Sequence, residues 1–209
     1  IEGSFALRDI SFTQRKGEKI AVAGETGSGK STLLKIIAGL AQQNSGDVIF
    51  EGKKVVGPAD SLVPGHPSIA YLSQHFELQK FLRVEQVLTY ANTLTDKEAN
   101  TLYEVYQNDH LLKRKTDQLS GGERQRIALA QLLIGKPRLL LLDEPFTHLD
   151  MPHKGTLKEV IDDISQRLKI NLILVSHEPA DTLAWADKII VMKNGVVVQK
   201  GTPEKIYCQ

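Results

Sequence analysis

The stretch Gly24-Glu25-Thr26-Gly27-Ser28-Gly29-Lys30-Ser31-Thr32 decides the fold of this chain. It follows an apolar run at residues 20–23 and precedes residues 33–41, whose apolar side chains repeat with the period of a helix. Strand, glycine-rich turn and helix with the spacing G-x-x-x-x-G-K-[ST] are the features of a phosphate-binding loop. The alternative is a flexible turn before an ordinary helix, but the pattern arises by chance in roughly one chain in a hundred of this length.

This loop has the chemistry to hold a nucleoside triphosphate. Its glycines allow successive backbone N–H groups to point inward at a polyphosphate. The helix that follows presents its unpaired N–H groups and the positive end of its dipole to the same anion. Lys30 would reach the β- and γ-phosphates, and the hydroxyl of Ser31 would be a ligand of Mg²⁺.

Composition indicates a globular protein with an ordinary core. The 209 residues suit one α/β domain, or one domain that carries a smaller subdomain, and 41% of them are hydrophobic and 24% charged. The formal net charge of +1 gives no field that favours nucleic acid or an anionic membrane surface. The single Cys208 excludes an internal disulfide framework and is typical of a reducing compartment. Because the sequence holds no secretory signal and no apolar run of about 18 residues, we expect any membrane part to come from a partner.

Strand patterns alternate with helical ones, which predicts an α/β fold with a mostly parallel core sheet. Between residues 82 and 112 the apolar period becomes helical, which indicates a small helical subdomain inserted between strands. The other predicted helices are 120–134, 156–168 and 180–186. The predicted strands are two short ones within residues 1–22, a hairpin at 47–56, single strands at 69–73, 138–143 and 171–176, and a hairpin of 188–192 with 196–200.

Four leucines at residues 139–142 lead into Asp143 and Glu144. Such an unbroken apolar run suits a strand of a parallel sheet that is buried on both faces. Beside a phosphate-binding loop, Asp143 at the end of this strand would hold Mg²⁺, usually through water. Glu144 would orient or deprotonate an attacking water, which hydrolysis also requires. The alternative, two ordinary solvated carboxylates at a strand end, is disfavoured by the phosphate-binding loop upstream.

A further helix begins at Leu119-Ser120-Gly121-Gly122-Glu123. Ser120 is a good N-cap, and Glu123 completes a capping box. By itself this start is only a capped helix, whose N-terminus is another anion site. Placed between a phosphate-binding loop and Asp143-Glu144, it resembles the signature of the ATP-binding cassette (ABC) family, and the resemblance covers essentially the whole chain.

The resemblance implies a P-loop NTPase fold of ABC type, with a mostly parallel core sheet, an N-terminal antiparallel sheet and an inserted helical subdomain. It makes residues 1–209 one nucleotide-binding domain, with a RecA-like core at about 1–81 and 119–209 and the helical subdomain at about 82–118. It also implies a head-to-tail dimer with two ATP molecules at its interface. The signature would then bind the γ-phosphate of the nucleotide held by the opposite subunit, through Ser120, Gly121, Gly122 and Glu123.

The resemblance also implies roles for two more side chains. Gln74, at the end of the predicted strand 69–73, resembles the Q-loop glutamine, a ligand of Mg²⁺ and a sensor of the membrane partner. His177, directly after a predicted buried strand, resembles the switch histidine that contacts the γ-phosphate and Glu144.

The D-loop and the adenine site follow the family less closely. Asp150 resembles the D-loop aspartate, but the family usually has Ser-Ala-Leu-Asp there, so Thr147 and His148 are departures from its pattern. The family stacks adenine on an aromatic side chain that precedes the second N-terminal strand. Counted back from the phosphate-binding loop, that position falls at or just before Ile1, and the stacking residue is left unassigned.

The leading hypothesis is the ATPase subunit of an ABC transporter. One copy of each motif means that two chains must pair, with ATP closing the dimer and hydrolysis and product release reopening it. The helical subdomain and residues 75–83 would receive a separate transmembrane permease, which places the chain peripherally on the cytoplasmic face of the inner or plasma membrane. Import is favoured because residues 143–146 and 199–207 resemble the importer type found in ion, polyamine and sugar uptake.

Two other hypotheses are weighed against this one. A soluble ABC ATPase of translation or DNA repair usually has two cassettes in one chain or a long coiled-coil insertion, and this sequence has neither. The near-neutral charge also argues against a nucleic-acid partner. A non-hydrolysing regulatory cassette is disfavoured because Glu144 and His177 are both present.

Overall fold

The computed structural model describes residues 6–74, 78–91, 111–147, 149, 151–183 and 185–207. The strands in this part of the chain are β1 Lys19–Ala23, β2 Ile49–Phe50, β3 Lys53–Lys54, β4 Ile69–Leu72, β5 Leu139–Asp143, β6 Asn171–Val175, β7 Lys188–Lys193 and β8 Val196–Gly201. The helices are α1 Lys30–Ile37, α2 Val84–Ala91, α3 Gly121–Ile134, α4 Met151–Leu168, α5 Pro179–Thr182 and α6 Pro203–Tyr207, with a 3-10 turn at Thr116–Gln118.

One twisted sheet carries the predicted sites on a single edge. Its strand order is β4-β5-β6-β1-β7-β8, and every neighbouring pair is parallel except β7 with β8. Parallel strands point their carboxyl ends the same way, so the turns after β1, β4, β5 and β6 all open at one edge of the sheet. Open α/β sheets bind their ligands at this edge.

Strand β5 is buried on both faces, as its run of leucines predicts. Its five residues are all buried. Leu140 and Leu142 face an apolar layer shared with α2, α3 and α4, whereas Leu139 and Leu141 face a second layer that includes α1. Alternate side chains of a strand point to opposite faces, so helices on both sides of the sheet require this continuous apolar sequence.

The short hairpin of β2 and β3 forms a separate two-stranded antiparallel sheet, as predicted. The first of the two strands predicted within residues 1–22 is wrong over its described part, because residues 6–14 contain no strand. That segment is held by isolated bonds: the N–H of Arg8 donates to the carbonyl of Gly195 at 2.9 Å, and the ammonium of Lys188 donates to the carbonyl of Thr13 at 3.0 Å. Single bonds of this kind do not make the ladder that defines a strand.

Two helix boundaries differ from the prediction. Helix α4 begins at Met151 rather than at residue 156, because Pro152 lies in the first turn, where a missing N–H costs nothing. Helix α5 ends at Thr182, before the predicted end at residue 186. Beyond it, the indole of Trp185 donates to the carboxylate of Asp162 on α4 at 2.9 Å, so this ring is held by tertiary contacts rather than by a helix.

The helical pattern predicted from residue 82 forms helix α2, which packs on α3 through Val84 and Leu88. The strand-like segment before it pairs with residues 112–116, since the N–H of Thr116 donates to the carbonyl of Leu82 at 2.9 Å. The helical pattern predicted around residues 102–106 and Cys208 lie outside the described residues. The division at 82–118 stays a prediction.

None of the helices in the described part of the chain combines the length and the apolar character needed to span a membrane.

Candidate nucleotide site

The phosphate-binding loop connects β1 to α1, as its sequence predicts. Gly29 is the N-cap of α1 and has a left-handed φ of 100°. Gly24 has no room for a side chain, because a Cβ there would lie 2.2 Å from the carbonyl oxygen of Met192 at the end of β7. The hairpin of β7 and β8 also contacts the loop, since the N–H of Gly195 donates to the carbonyl of Ser28 at 3.1 Å. The glycines are therefore required by the close approach of a neighbouring strand and by the helix start.

Lys30 lies inside this loop and is only 5% exposed. Its ammonium donates to the carbonyls of Gly24 and Glu25, each at 2.8 Å. Burial lowers the pKa of Lys30, and the charges of Glu144 and Asp143 act in the opposite direction. The ammonium is thus held by two carbonyls of the loop, close enough to the carboxylates of Asp143 and Glu144 to be influenced by their charges.

Asp143 ends β5 and is bound by two hydroxyl groups. The Ser31 hydroxyl donates to its Oδ1 at 2.9 Å, and the Tyr71 hydroxyl donates to its Oδ2 at 2.8 Å. Burial, followed by the hydrogen bond to Asp143, raises the pKa of Tyr71 far above its ordinary value, so this phenol is a protonated donor. The sequence prediction included Ser31 and missed Tyr71.

The contact of Tyr71 with Asp143 follows from the way strands β4 and β5 pair. In the ladder, Tyr71 of β4 lies opposite Leu141 of β5, so both side chains share a face with Asp143 two residues further on. A diagonal neighbour on such a face is within reach of an aromatic side chain. Sequence alone does not give this register.

The structure brings Glu144 and His177 together. The Nδ1 of His177 lies 2.5 Å from the Oε2 of Glu144. Glu144 has a φ of 53°, which is unusual for a residue with a side chain, and its N–H donates to the carbonyl of Val175 at 3.0 Å. That bond continues the β5–β6 ladder into the turn and carries Glu144 toward the residues that follow β6.

Thr147 is a third member of this group. Its hydroxyl donates to the same Oε2 of Glu144 at 2.9 Å. The sequence prediction treated Thr147 only as a departure from the family's pattern. Two groups therefore meet one carboxylate oxygen, and the other oxygen, Oε1, has no hydrogen-bond partner among the described residues.

A polar cluster lies behind His177, around the buried side chains of Ser176 and Asp181. The Ser176 hydroxyl donates to Asp181 at 3.2 Å and accepts the N–H of Glu178 at 3.1 Å. Lys158 of α4 donates to Asp181 at 3.0 Å, and Lys154 of α4 donates to Glu178 at 2.6 Å. The bond to Glu178 raises the pKa of Lys154. These contacts fix the residues on both sides of His177 to helix α4.

The signature motif lies at the surface. Ser120 caps α3: its hydroxyl accepts the N–H of Glu123 at 3.3 Å, and its own N–H donates to the Glu123 carboxylate at 2.8 Å. That backbone bond is the main reason why the pKa of Glu123 is lowered. Ser120 and Gly121 are exposed, and a Cβ on Gly121 would meet nothing within 4 Å. The start of α3 is thus an open N-terminus at the surface.

The remaining predicted site residues are placed only in part. Gln74 is exposed and follows β4, whose Leu72 pairs with Leu142 of β5, so Gln74 lies on the same sheet edge as Asp143. Asp150 and His148 lie outside the described residues, as does Ile1, at or just before which the adenine-stacking position is predicted.

The donor atoms fit Mg²⁺ bound together with a phosphate. Ser31 and Asp143 offer two hard oxygen ligands, which are 2.9 Å apart. Among the described residues, no group of three His, Cys, Asp or Glu side chains could hold a metal by itself. Mg²⁺ usually binds proteins in this way, through one or two side chains, water and substrate phosphates.

A phosphate-binding loop connects a strand to a helix, and an acidic residue at the end of strand β5 lies beside it. These features define a P-loop nucleotide-binding protein. Comparison with protein families matches residues 7–147 to the family described as ABC transporter. The chain therefore belongs to the ABC transporter family, which confirms the resemblance inferred from the signature.

Known proteins agree with this assignment. The spermidine/putrescine import ATP-binding protein PotA of Mycoplasma mycoides subsp. mycoides is 34% identical over 99% of this chain and 60% of its own length. The sulfate/thiosulfate import ATP-binding protein CysA 2 of Shewanella oneidensis is 36% identical over 98% of this chain and 60% of its own length. This chain therefore spans only 60% of the length of these relatives.

The fold is confirmed by solved structures. The structure of cbiO1 from Clostridium perfringens, part of the ABC transporter complex cbiONQ, has a TM-score of 0.81 and 26% sequence identity. That alignment covers 98% of this chain and 84% of the other. The predicted ABC-type α/β fold, with its mostly parallel sheet, is correct.

Replacing Asp181 by Asn should destabilise the fold through the cluster behind His177. Asp181 is 4% exposed, and its loss leaves the Lys158 ammonium without a carboxylate partner. We expect the free energy of unfolding in urea to fall by about 3 kcal/mol. The control is Asp163→Asn, which breaks an exposed pair with Arg167 on α4. This variant should lower the free energy of unfolding by less than about 0.5 kcal/mol. Equal effects of the two variants would contradict a buried structural role for Asp181.

Proposed function

We propose that this chain is the ATP-binding and ATP-hydrolysing subunit of an ABC transporter. The observation that carries the proposal is the contact of Glu144 with His177, at the sheet edge that also holds Lys30 and Asp143. A site that only bound nucleotide would need the loop and its lysine. Hydrolysis also needs a group that can receive a proton from water, and Glu144 is placed to be that group.

The loop binds the phosphates of ATP. Its backbone N–H groups and the N-terminus of α1 surround the polyphosphate, and the Lys30 ammonium pairs with the β- and γ-phosphates. Ser31, Asp143 and Gln74 would hold Mg²⁺, which would offset the negative charge of the phosphates. Because Lys30 and Asp143 are almost fully buried, these charges act where water screens them little.

Glu144 acts on the attacking water. His177 and Thr147 hold its Oε2, so the carboxylate presents Oε1 to the water. As the water oxygen attacks the γ-phosphorus, its proton passes to Oε1, the bond to the β–γ bridging oxygen breaks, and ADP and inorganic phosphate leave. His177 also reaches the γ-phosphate, so its position decides whether the carboxylate and the phosphate are aligned.

The second half of each nucleotide site comes from another copy of the chain. Ser120, Gly121, Gly122 and Glu123 form an exposed, capped helix start, which is suited to a phosphate presented from outside. Two copies arranged head to tail would enclose two ATP molecules, and Asp150 would be the D-loop aspartate that the family resemblance implies. ATP then favours the closed pair, and release of products favours the open one.

The transport partner is a separate transmembrane permease, and import is the favoured direction. The support is that PotA and CysA 2, with which this chain shares about a third of its residues, are named as import ATP-binding proteins. The helical subdomain and residues 75–83 would contact the permease, which places the chain on the cytoplasmic face of the membrane. The transported solute is left open.

Replacing Glu144 by Gln should abolish hydrolysis while ATP binding persists. The amide keeps the shape of the side chain but cannot take the proton, so we expect phosphate release to fall by about 10²–10⁴-fold. ATP should then trap a dimer that size-exclusion chromatography with light scattering detects. The control Glu159→Gln, an exposed position on α4, should keep the parent rate. Hydrolysis by Glu144→Gln at the parent rate would contradict the general-base role.

A tagged Glu144→Gln chain should retain a polytopic membrane protein when it is purified from detergent-solubilised membranes of its host. The reason is that the ATP-bound, non-hydrolysing pair stays in one conformation long enough to keep its partner. Mass spectrometry of the eluate gives the partner's identity, and the Lys30→Ala chain, which cannot close on ATP, is the control. Recovery with ribosomes or with nucleic-acid proteins instead would favour the soluble ABC ATPases.

A further inference from the structure

The carboxylate of Asp143 is held by one donor on each oxygen. Ser31 donates to Oδ1 at 2.9 Å and Tyr71 donates to Oδ2 at 2.8 Å, while Asp143 itself is 3% exposed. A carboxylate that accepts from two fixed donors on opposite oxygens has one side-chain rotamer that satisfies both. Tyr71 therefore fixes the orientation of the carboxylate, with one oxygen beside Ser31.

The Tyr71 hydroxyl is itself held rigidly. Its backbone is in β4, paired with Leu141 of β5, and its ring packs against the apolar layer that includes Leu33 and Leu34 of α1. A tyrosine has only two side-chain torsions, so this packing leaves its hydroxyl little freedom. Held in this way, the hydroxyl donates to Oδ2 of Asp143 at 2.8 Å.

Ser31 and Asp143 Oδ1 are the two oxygens that fit Mg²⁺, so the group that orients Asp143 acts on the metal site without touching it. We propose that Tyr71 is a positioning residue for the metal: its hydroxyl holds Oδ2 of Asp143 so that Oδ1 is presented next to Ser31. This inference rests on the proposed function, in which that pair holds Mg²⁺ with ATP. Partners of this kind, behind a metal ligand, change metal affinity by about 10–100-fold when they are removed.

The competing explanation is that the hydroxyl only satisfies a buried carboxylate. Such a role would affect stability, because an acceptor left without its donor destabilises the folded state. It would not change the dependence of nucleotide binding on Mg²⁺ in the folded protein. The two roles are therefore separated by measuring metal dependence and stability on the same variant.

The test is Tyr71→Phe, which removes one oxygen atom and keeps the ring. Binding of a fluorescent ATP analogue is measured in EDTA and across a Mg²⁺ titration, and Mn²⁺ bound with ADP is counted by electron paramagnetic resonance. We expect the half-saturating Mg²⁺ concentration to rise by about 10–100-fold while the affinity in EDTA is unchanged. The control is Tyr90→Phe, whose side chain is 71% exposed and which should leave both quantities unchanged.

Each outcome decides the inference. A normal Mg²⁺ titration for Tyr71→Phe, with or without a lower melting temperature, would overturn it and leave the proposed ATPase intact. If the parent chain binds ATP equally well with and without Mg²⁺, both the inference and the metal part of the proposed function fail. Tyr71→Leu removes the same hydroxyl with a different apolar side chain, and it replaces Tyr71→Phe if circular dichroism shows the latter unfolded. A rise in the half-saturating Mg²⁺ concentration shared by both variants assigns the effect to the hydroxyl.

Discussion

The burial of strand β5 between two helical layers is the constraint on which the rest of the structure depends. Leu139–Leu142 have no polar side chain, so the strand requires a place in a sheet that is covered on both faces, which is typical of parallel sheets. That position forces the first polar residues after the leucines, Asp143 and Glu144, to emerge at the carboxyl edge of the sheet. The turn after β1 opens at the same edge, which brings a lysine, a helix N-terminus and two carboxylates together.

Hydrogen bonds hold the polar side chains at this edge of the sheet in a fixed geometry. Asp143 is held by Ser31 and Tyr71, and Glu144 is held by His177 and Thr147. In the proposed function the two neighbouring carboxylates take different roles, Asp143 toward a metal and Glu144 toward water. The residues around His177 are bound in turn to α4, so a shift of that helix, which begins directly after Asp150, would move the histidine relative to Glu144.

Local patterns predicted most of this arrangement, and contacts between distant segments account for the rest. The phosphate-binding loop, the leucine strand and the capped start of α3 each depend on a few consecutive residues, so their sequence suffices. Tyr71 was missed because its contact with Asp143 depends on the register of β4 against β5. The contact of Thr147 was missed because it depends on the direction in which the Glu144 side chain points. The strand expected before residue 15 failed for the same reason, since a strand requires a neighbour that sequence does not supply.

The central claim is that a working nucleotide site is shared between two copies of this chain, and mixing two inactive variants tests it most directly. Lys30→Ala removes the phosphate-binding lysine, and Gly121→Asp puts a negative charge at an exposed helix start that has room for it. In a shared site, an equimolar mixture regains about a quarter of the parent ATPase rate, because half of the random dimers contain one intact site. Lys30→Ala mixed with Glu144→Gln, two changes in the same half-site, should regain nothing. Activity in the first mixture no higher than that of its separate components would contradict the shared site.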